Sequence, residues 1–116
     1  MPVVRLKVEL EATGTMGNVF PKQFSLACTE ALSFTYQLAT ATTDQAVPQN
    51  FTTGITTATV VAIYSDKTIS WKQVAADTAG TITAGGMMML FNTSVTALVL
   101  SNASGSTANV TFFLAG

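Results

Sequence analysis

Glu9 and Glu11 stand two residues apart in VRLKVELE, and on an extended strand residues i and i+2 point the same way. Such a pair of carboxylates could share a hard cation such as Ca²⁺, which takes oxygen ligands. The same alternation puts Arg5 and Lys7 on that face, so ion pairing along the strand or across to a neighbour satisfies the acids without a metal. The other acids, Glu30, Asp44, Asp66 and Asp77, are scattered along the chain. None of them is singled out as a pair for glycoside hydrolysis, which needs two carboxyl groups flanking one bond. There is no histidine, so no imidazole can serve as a base for a nucleophile or as a metal ligand. Cys28 is the single cysteine, which excludes an intrachain disulfide. In FSLAC it shares the parity of Phe24 and Leu26 and reads as a small buried apolar residue rather than an activated thiol. The expectation is a protein without catalytic residues, metal or cofactor, and not an enzyme.

Two further groups invite a binding role. Met87, Met88 and Met89 precede Leu90 and Phe91, and thioethers are soft ligands suited to copper. Alternation, however, sends Met87, Met89 and Phe91 to one face and Met88 and Leu90 to the other, which predicts a strand buried on both sides, by the domain's core and by a further subunit. Tyr64 and Trp71 flank SDK, where exposed aromatic rings would form a platform for sugars. Period alone does not say whether they face outward. Asp66 lies in that same short polar stretch, where an Asp side chain is favoured because it bonds nearby backbone. Gly85-Gly86 lacks the Lys-Ser/Thr or GxGxxG context of a phosphate cradle. The triplets starting at Asn50, Asn92, Asn102 and Asn109 match the N-glycosylation pattern, and in a chain this rich in Asn, Ser and Thr they are read as unmodified.

These residues are set in an unusual composition. Of 116 residues, 48% are hydrophobic and only 9% are charged, against a usual charged share of about 25%. Thr, Ser, Ala, Asn and Gln must cover the surface instead. A net charge of −1 leaves no basic footprint for a nucleic acid or an anionic membrane. MPVVRLKVELE mixes charge into its apolar residues, unlike a secretory leader. The last stretch, VTALVLSNASGSTANVTFFLAG, is split by a polar cluster at residues 101–107 and falls short of the roughly twenty apolar residues of a membrane span.

Period-two alternation dominates the chain and predicts strands. Val4, Leu6, Val8 and Leu10 alternate with charged residues in the first, and a second covers about 20–28. Leu32, Phe34, Tyr36 and Leu38 alternate with Ser33, Thr35 and Gln37 in a third. Between these two, LACTEALS permits a short helical turn. Residues 39–50 lack apolar periodicity and contain Pro48, so they read as a surface loop. ITTATVVAIYSDKTISWKQV reads as a hairpin turning at residues 65–67, and a loop through Asp77 and Gly80 follows it. Gly85-Gly86 marks a bend into the methionine strand. Strands at about 95–102 and 107–114, joined by residues 103–106, read as a closing hairpin. The sum is one all-β domain over 1–116, a single antiparallel β-sandwich of about eight short strands.

From Tyr64 to the end, IYSDKTISW, TITAGGMMMLFN and LVLSNASGSTANVTFFLAG resemble small β-sandwich virion proteins of tailed bacteriophages. Those proteins end in an Asn-x-Ser-Gly turn and a strand running into Ala-Gly, here Asn102, Ser104, Gly105, Ala115 and Gly116. The resemblance implies a jelly-roll-like capsid decoration or auxiliary protein, or a tail or fibre component, commonly a homotrimer. It implies location in the virion after assembly in the bacterial host cytoplasm, with the major capsid protein among the partners. The physical expectation runs parallel, since strands apolar on both faces leave more hydrophobic surface than one core absorbs. Phe113, Val99, Met88 and Leu90 are the expected contacts with a subunit or capsid. The rival readings are a carbohydrate-binding, lectin-like module using Tyr64 and Trp71, and a hydrolase using two of the acids.

Overall fold

The computed structural model describes residues 3–11, 19–28, 30–46, 55–74 and 76–116, and side chains only outside 6–24. Ten strands run through these residues: β1 (Val3–Glu11), β2 (Val19–Ala27), β3 (Ala31–Leu38), β4 (Thr42–Ala46), β5 (Ala58–Ser65), β6 (Ile69–Lys72), β7 (Gly80–Ile82), β8 (Gly86–Val95), β9 (Val99–Asn102) and β10 (Ala108–Ala115). The all-β expectation holds: among the described residues there is no helix, and those of LACTEALS lie in β2, in β3 or beside them rather than in a helical turn. The strands form three antiparallel sheets, β1-β2, β3-β10-β5-β8 and β4-β9-β6-β7. This replaces the single sandwich of about eight strands that turn spacing predicts.

Two of the extra elements come from segments that read as loops. β4 lies in the stretch 39–50, and its sequence TTDQA has no apolar alternation because both its faces are largely open. Backbone pairing with β9 holds it, and the Asp44 N–H donates to Ser101 Oγ at 2.9 Å. β7 is three residues long and is fixed by Ile69 opposite Ile82 and Trp71 opposite Gly80.

The connections hold the larger surprise. β5 and β6 do not form a hairpin, since β5 lies in one four-stranded sheet and β6 in the other. At this corner Ser65 Oγ donates to Lys67 O at 2.6 Å and accepts the Lys67 N–H at 3.2 Å. Asp66 bonds forward to Asn109 of β10 rather than closing a local turn. β9 and β10 likewise belong to different sheets, so the closing hairpin is also an arch. From β3 onward every connection except β6 to β7 crosses from one sheet to the other.

One apolar core draws on both four-stranded sheets. Leu38, Val61, Ile63, Val110, Phe112 and Leu114 come from the first, and Ile69, Ile82 and Leu100 from the second. Phe34 stacks on Phe112 with ring centroids 4.8 Å apart and planes 8° from parallel, an arrangement that adds to the plain burial of the two rings. The alternation of β10 is the reason it sits centrally: Ala108, Val110, Phe112 and Leu114 are all fully buried on one side. A smaller core lies on the opposite face of the same sheet. There Val4 and Cys28 meet Val60 and Ala115, with Leu26, Phe91 and Phe113 packed alongside.

Candidate interaction surface

The outer face of the β3-β10-β5-β8 sheet is laid out by register. Met87, Tyr64 and Thr111 lie in one row, Met89, Ala62 and Phe113 in the next, and Phe91, Val60 and Ala115 in the third. The ends of β1 and β2 cover the third row through Val4, Leu26 and Cys28. The first two rows stay open: Met87 is 60% exposed, Tyr64 44% and Met89 37%. Between the covered and open rows runs a groove of about 230 Å³ lined by Val4, Arg5, Val60, Ala62, Met89, Phe91 and Phe113. Arg5 is the one charged residue of that lining, so the groove offers an apolar floor with a cation at its rim.

The other sheet presents a different outer face. Ser70 lies opposite both Thr81 and Ser101, and a second groove of about 240 Å³ is lined mainly by hydroxyl residues, among them Thr68 and Ser104. Lys72 pairs with Asp44 at 3.3 Å nearby. One side of the molecule is thus hydroxyl-rich and suited to water, and the other carries methionine and aromatic side chains.

The expected contact residues are distributed unevenly over this frame. Phe113 is on the apolar outer face, half-buried beside the groove. Met88 and Leu90 are not on that face: they pack, half-buried, against the main core, and Met87 and Met89 are the residues turned outward. The strand is therefore not buried on both sides within the chain. A run that is apolar at every position offers no polar alternate to mark its outer side, and only the sheet decides it. Val99 is on β9, opposite Ala46 and Lys72 on the second sheet, so it shares no surface with Phe113.

Tyr64 and Trp71 do not form one platform. Tyr64 belongs to the outer face of the first sheet, whereas Trp71 is half-buried against the main core. Its indole lies over Gly80, where an added Cβ would come within 2.6 Å of the ring carbon Cε2. The arch at residues 65–68 separates the two rings because it carries the chain to the opposite sheet.

Two of the titratable side chains, Cys28 and Asp66, are tied into the fold. Cys28 is buried, 3.6 Å from Thr59 Oγ1, which in turn donates to Ala115 O at 3.3 Å. The side chains of Glu9 and Glu11 lie outside the described residues, and no group of three or more His, Cys, Asp or Glu that could hold a metal occurs among the described ones. Asp66 accepts the Asn109 N–H at 2.8 Å and its Nδ2–H at 3.0 Å. These bonds to Asn109, more than neighbouring Lys67, hold its carboxyl below the ordinary 3.8. A folded-state value below the unfolded one means that the arch gains stability above pH 4 and loses it as pH falls through the folded value. The expected outcome is an acid-side decline in the urea midpoint that becomes shallower in Asp66→Asn, because that variant no longer loses the carboxylate on acidification.

Asn102, which begins both a glycosylation triplet and the Asn-x-Ser-Gly turn, is fully buried and so inaccessible to a glycan. Its amide donates to Leu38 O at 2.9 Å and Ser106 O at 2.8 Å, while Oδ1 accepts the Ser104 N–H at 3.0 Å. No helix among the described residues is long and apolar enough to cross a membrane. No protein-family model and no curated protein matches this chain.

Proposed function

We propose that this chain is a non-enzymatic structural protein of a bacteriophage virion, a capsid decoration or auxiliary protein that associates with itself and with other virion proteins such as the major capsid protein. β3 to β10 make up its jelly roll, a sandwich of two four-stranded sheets in one domain that also includes the β1-β2 arm. The strand orders β3-β10-β5-β8 and β4-β9-β6-β7, with the chain crossing repeatedly between them, support that reading of the fold. Jelly rolls occur in viral capsid proteins but also in lectins and cupins, so fold alone does not choose the function.

The observation that carries the choice is the outer face of the first sheet. Met87, Tyr64 and Met89 are exposed there around an apolar groove, in a chain with only 9% charged residues. Apolar surface of this kind marks a site for protein contact, and methionine adapts its shape to a partner. The work is reinforcement or attachment by burial, with no reaction and no cofactor, in a trimer assembled in the host cytoplasm. A lectin-like role would rest on Tyr64 alone, since Trp71 is turned to the core. Purified particles test the reading: the chain should co-purify with them in fixed stoichiometry and label on the capsid surface in electron micrographs. Label confined to the tail would overturn the capsid assignment, and particles without the chain would overturn the virion role.

A further inference from the structure

We infer that the β3 edge of one copy pairs with the β8 edge of the next, continuing the β3-β10-β5-β8 sheet from subunit to subunit around a closed ring. The inference rests on the self-association proposed above and assigns its surface. Sheet edges expose unpaired backbone donors and acceptors, and proteins that stay apart blunt them with charge, proline, bulges or brevity. The second sheet does so at both ends. β4 has a register shift between Thr42 and Gln45 and the Asp44–Lys72 ion pair, and β7 is only three residues long. The first sheet does so only at the far end of β8. β3 runs eight residues and β8 ten, with no charge and no proline in either. In β8 the regular edge is residues 86–91, because Asn92 turns to φ 59° and the pairing shifts beyond it.

Three properties make the two edges partners for each other. Strand direction is the first: β3, β10, β5 and β8 alternate, so a second copy set alongside in the same orientation brings its β3 antiparallel to β8. Packing is the second. Of the residues only partly buried against the main core, Phe34 and Tyr36 lie on β3, and Met88 and Leu90 on β8. Leu32, at 40% exposure, extends the β3 series. Joining the edges closes both open ends of the core at once and sets methionine against aromatic rings, a favourable contact. Area is the third. Six paired residues at about 3.4 Å each, across a molecule whose thinnest extent is 24 Å, cover roughly 500 Å² on each copy, and a specific interface needs about 1,000 Å² in total. A ring leaves neither edge of this sheet open, whereas a two-fold β8-β8 contact leaves both β3 edges unpaired.

The test uses Thr35→Lys, which puts a charge on β3, and Met87→Lys, which puts one on β8; both positions are exposed. Sedimentation equilibrium of the full chain at micromolar concentration should give the ring for the unsubstituted protein and monomer for each variant. An equimolar mixture of the two variants should give a one-to-one dimer, because each supplies the edge that the other lacks. That mixture also shows that both variants are folded, as does a near-unchanged circular dichroism melt. Ring mass retained by either variant, or two well-folded variants that stay monomeric on mixing, overturns the edge assignment while leaving self-association and the virion role standing. A Thr35→Lys variant that still forms a dimer by itself would point to the β8-β8 contact and overturn the ring.

Discussion

Asn102→Ala is expected to lower folding stability by about 2 kcal/mol, because it strands the buried Leu38 carbonyl, an unsatisfied group that costs roughly 1–3 kcal/mol, and also removes the bonds to Ser104 and Ser106. Asn102 is fully buried and ties three segments together: the end of β3, the end of β9 and the arch leading to β10. Within the arch the Ser104 hydroxyl also donates to Asn102 Oδ1 at 2.7 Å, and Gly105 adopts φ 85°, a conformation natural to glycine. An Asp at 102 should do no better than Ala. It matches Asn in shape but turns an acceptor towards the Leu38 and Ser106 carbonyls in place of the amide donor. Urea denaturation of the three proteins checks this. A loss below 1 kcal/mol for Ala would mean that the arch is held by something other than Asn102.

Phe112→Ala should be the more damaging change, with a loss of about 4 kcal/mol, in the range measured when a buried phenylalanine is truncated. Phe112 is fully buried on the central strand, opposite Ile63 on one side and Phe34 on the other. Removing its ring leaves a cavity in the shared core and deprives Phe34 of its stacking partner. Against a total stability of about 5–15 kcal/mol for a typical domain, that is a large share of what holds the fold together. Phe34→Leu, on the edge strand and half-buried, should lose far less. The urea midpoints of the two variants test that ordering, and equal losses would place β3 inside the core rather than at its border.

The sequence shows clearly those strands whose two faces meet different surroundings. β3 alternates cleanly from Leu32 to Leu38, and β10 does so up to Phe113, because one side faces the core and the other carries Ser33, Thr35, Asn109 and Thr111. β4 and β7 escape notice because an open edge strand and a three-residue strand need no apolar period; their backbone pairing defines them. The arches at residues 65–68 and 103–107 read as hairpins for a related reason. Short polar segments flanked by β-formers are common to both, and the difference lies in whether the flanking strands pair with each other. Here Asp66 binds Asn109 and Asn102 binds Leu38, contacts between residues far apart in the chain that no local pattern encodes.

The same distinction governs the contact surface. Phe113 stands out in sequence because it breaks the polar parity of Asn109 and Thr111, and it does lie on the outer face beside the groove. Met88 and Leu90 could not be separated from Met87 and Met89 in a run without a polar residue. Their position at the open end of the core makes them edge residues rather than face residues, which changes the kind of contact proposed for them. Val99 obeys the expected parity against Leu98 and Leu100 but on the other sheet.

The central claim is that this chain acts by joining copies of itself into the surface of a phage particle. Electron cryomicroscopy of the purified particle, at a resolution that separates β-strands, tests it most directly. The account predicts rings of two-sheet subunits seated on the capsid, with Met87, Met89 and Phe113 turned to the particle. Particles whose density contains no such subunit, with the chain recovered outside them as a monomer, would contradict it.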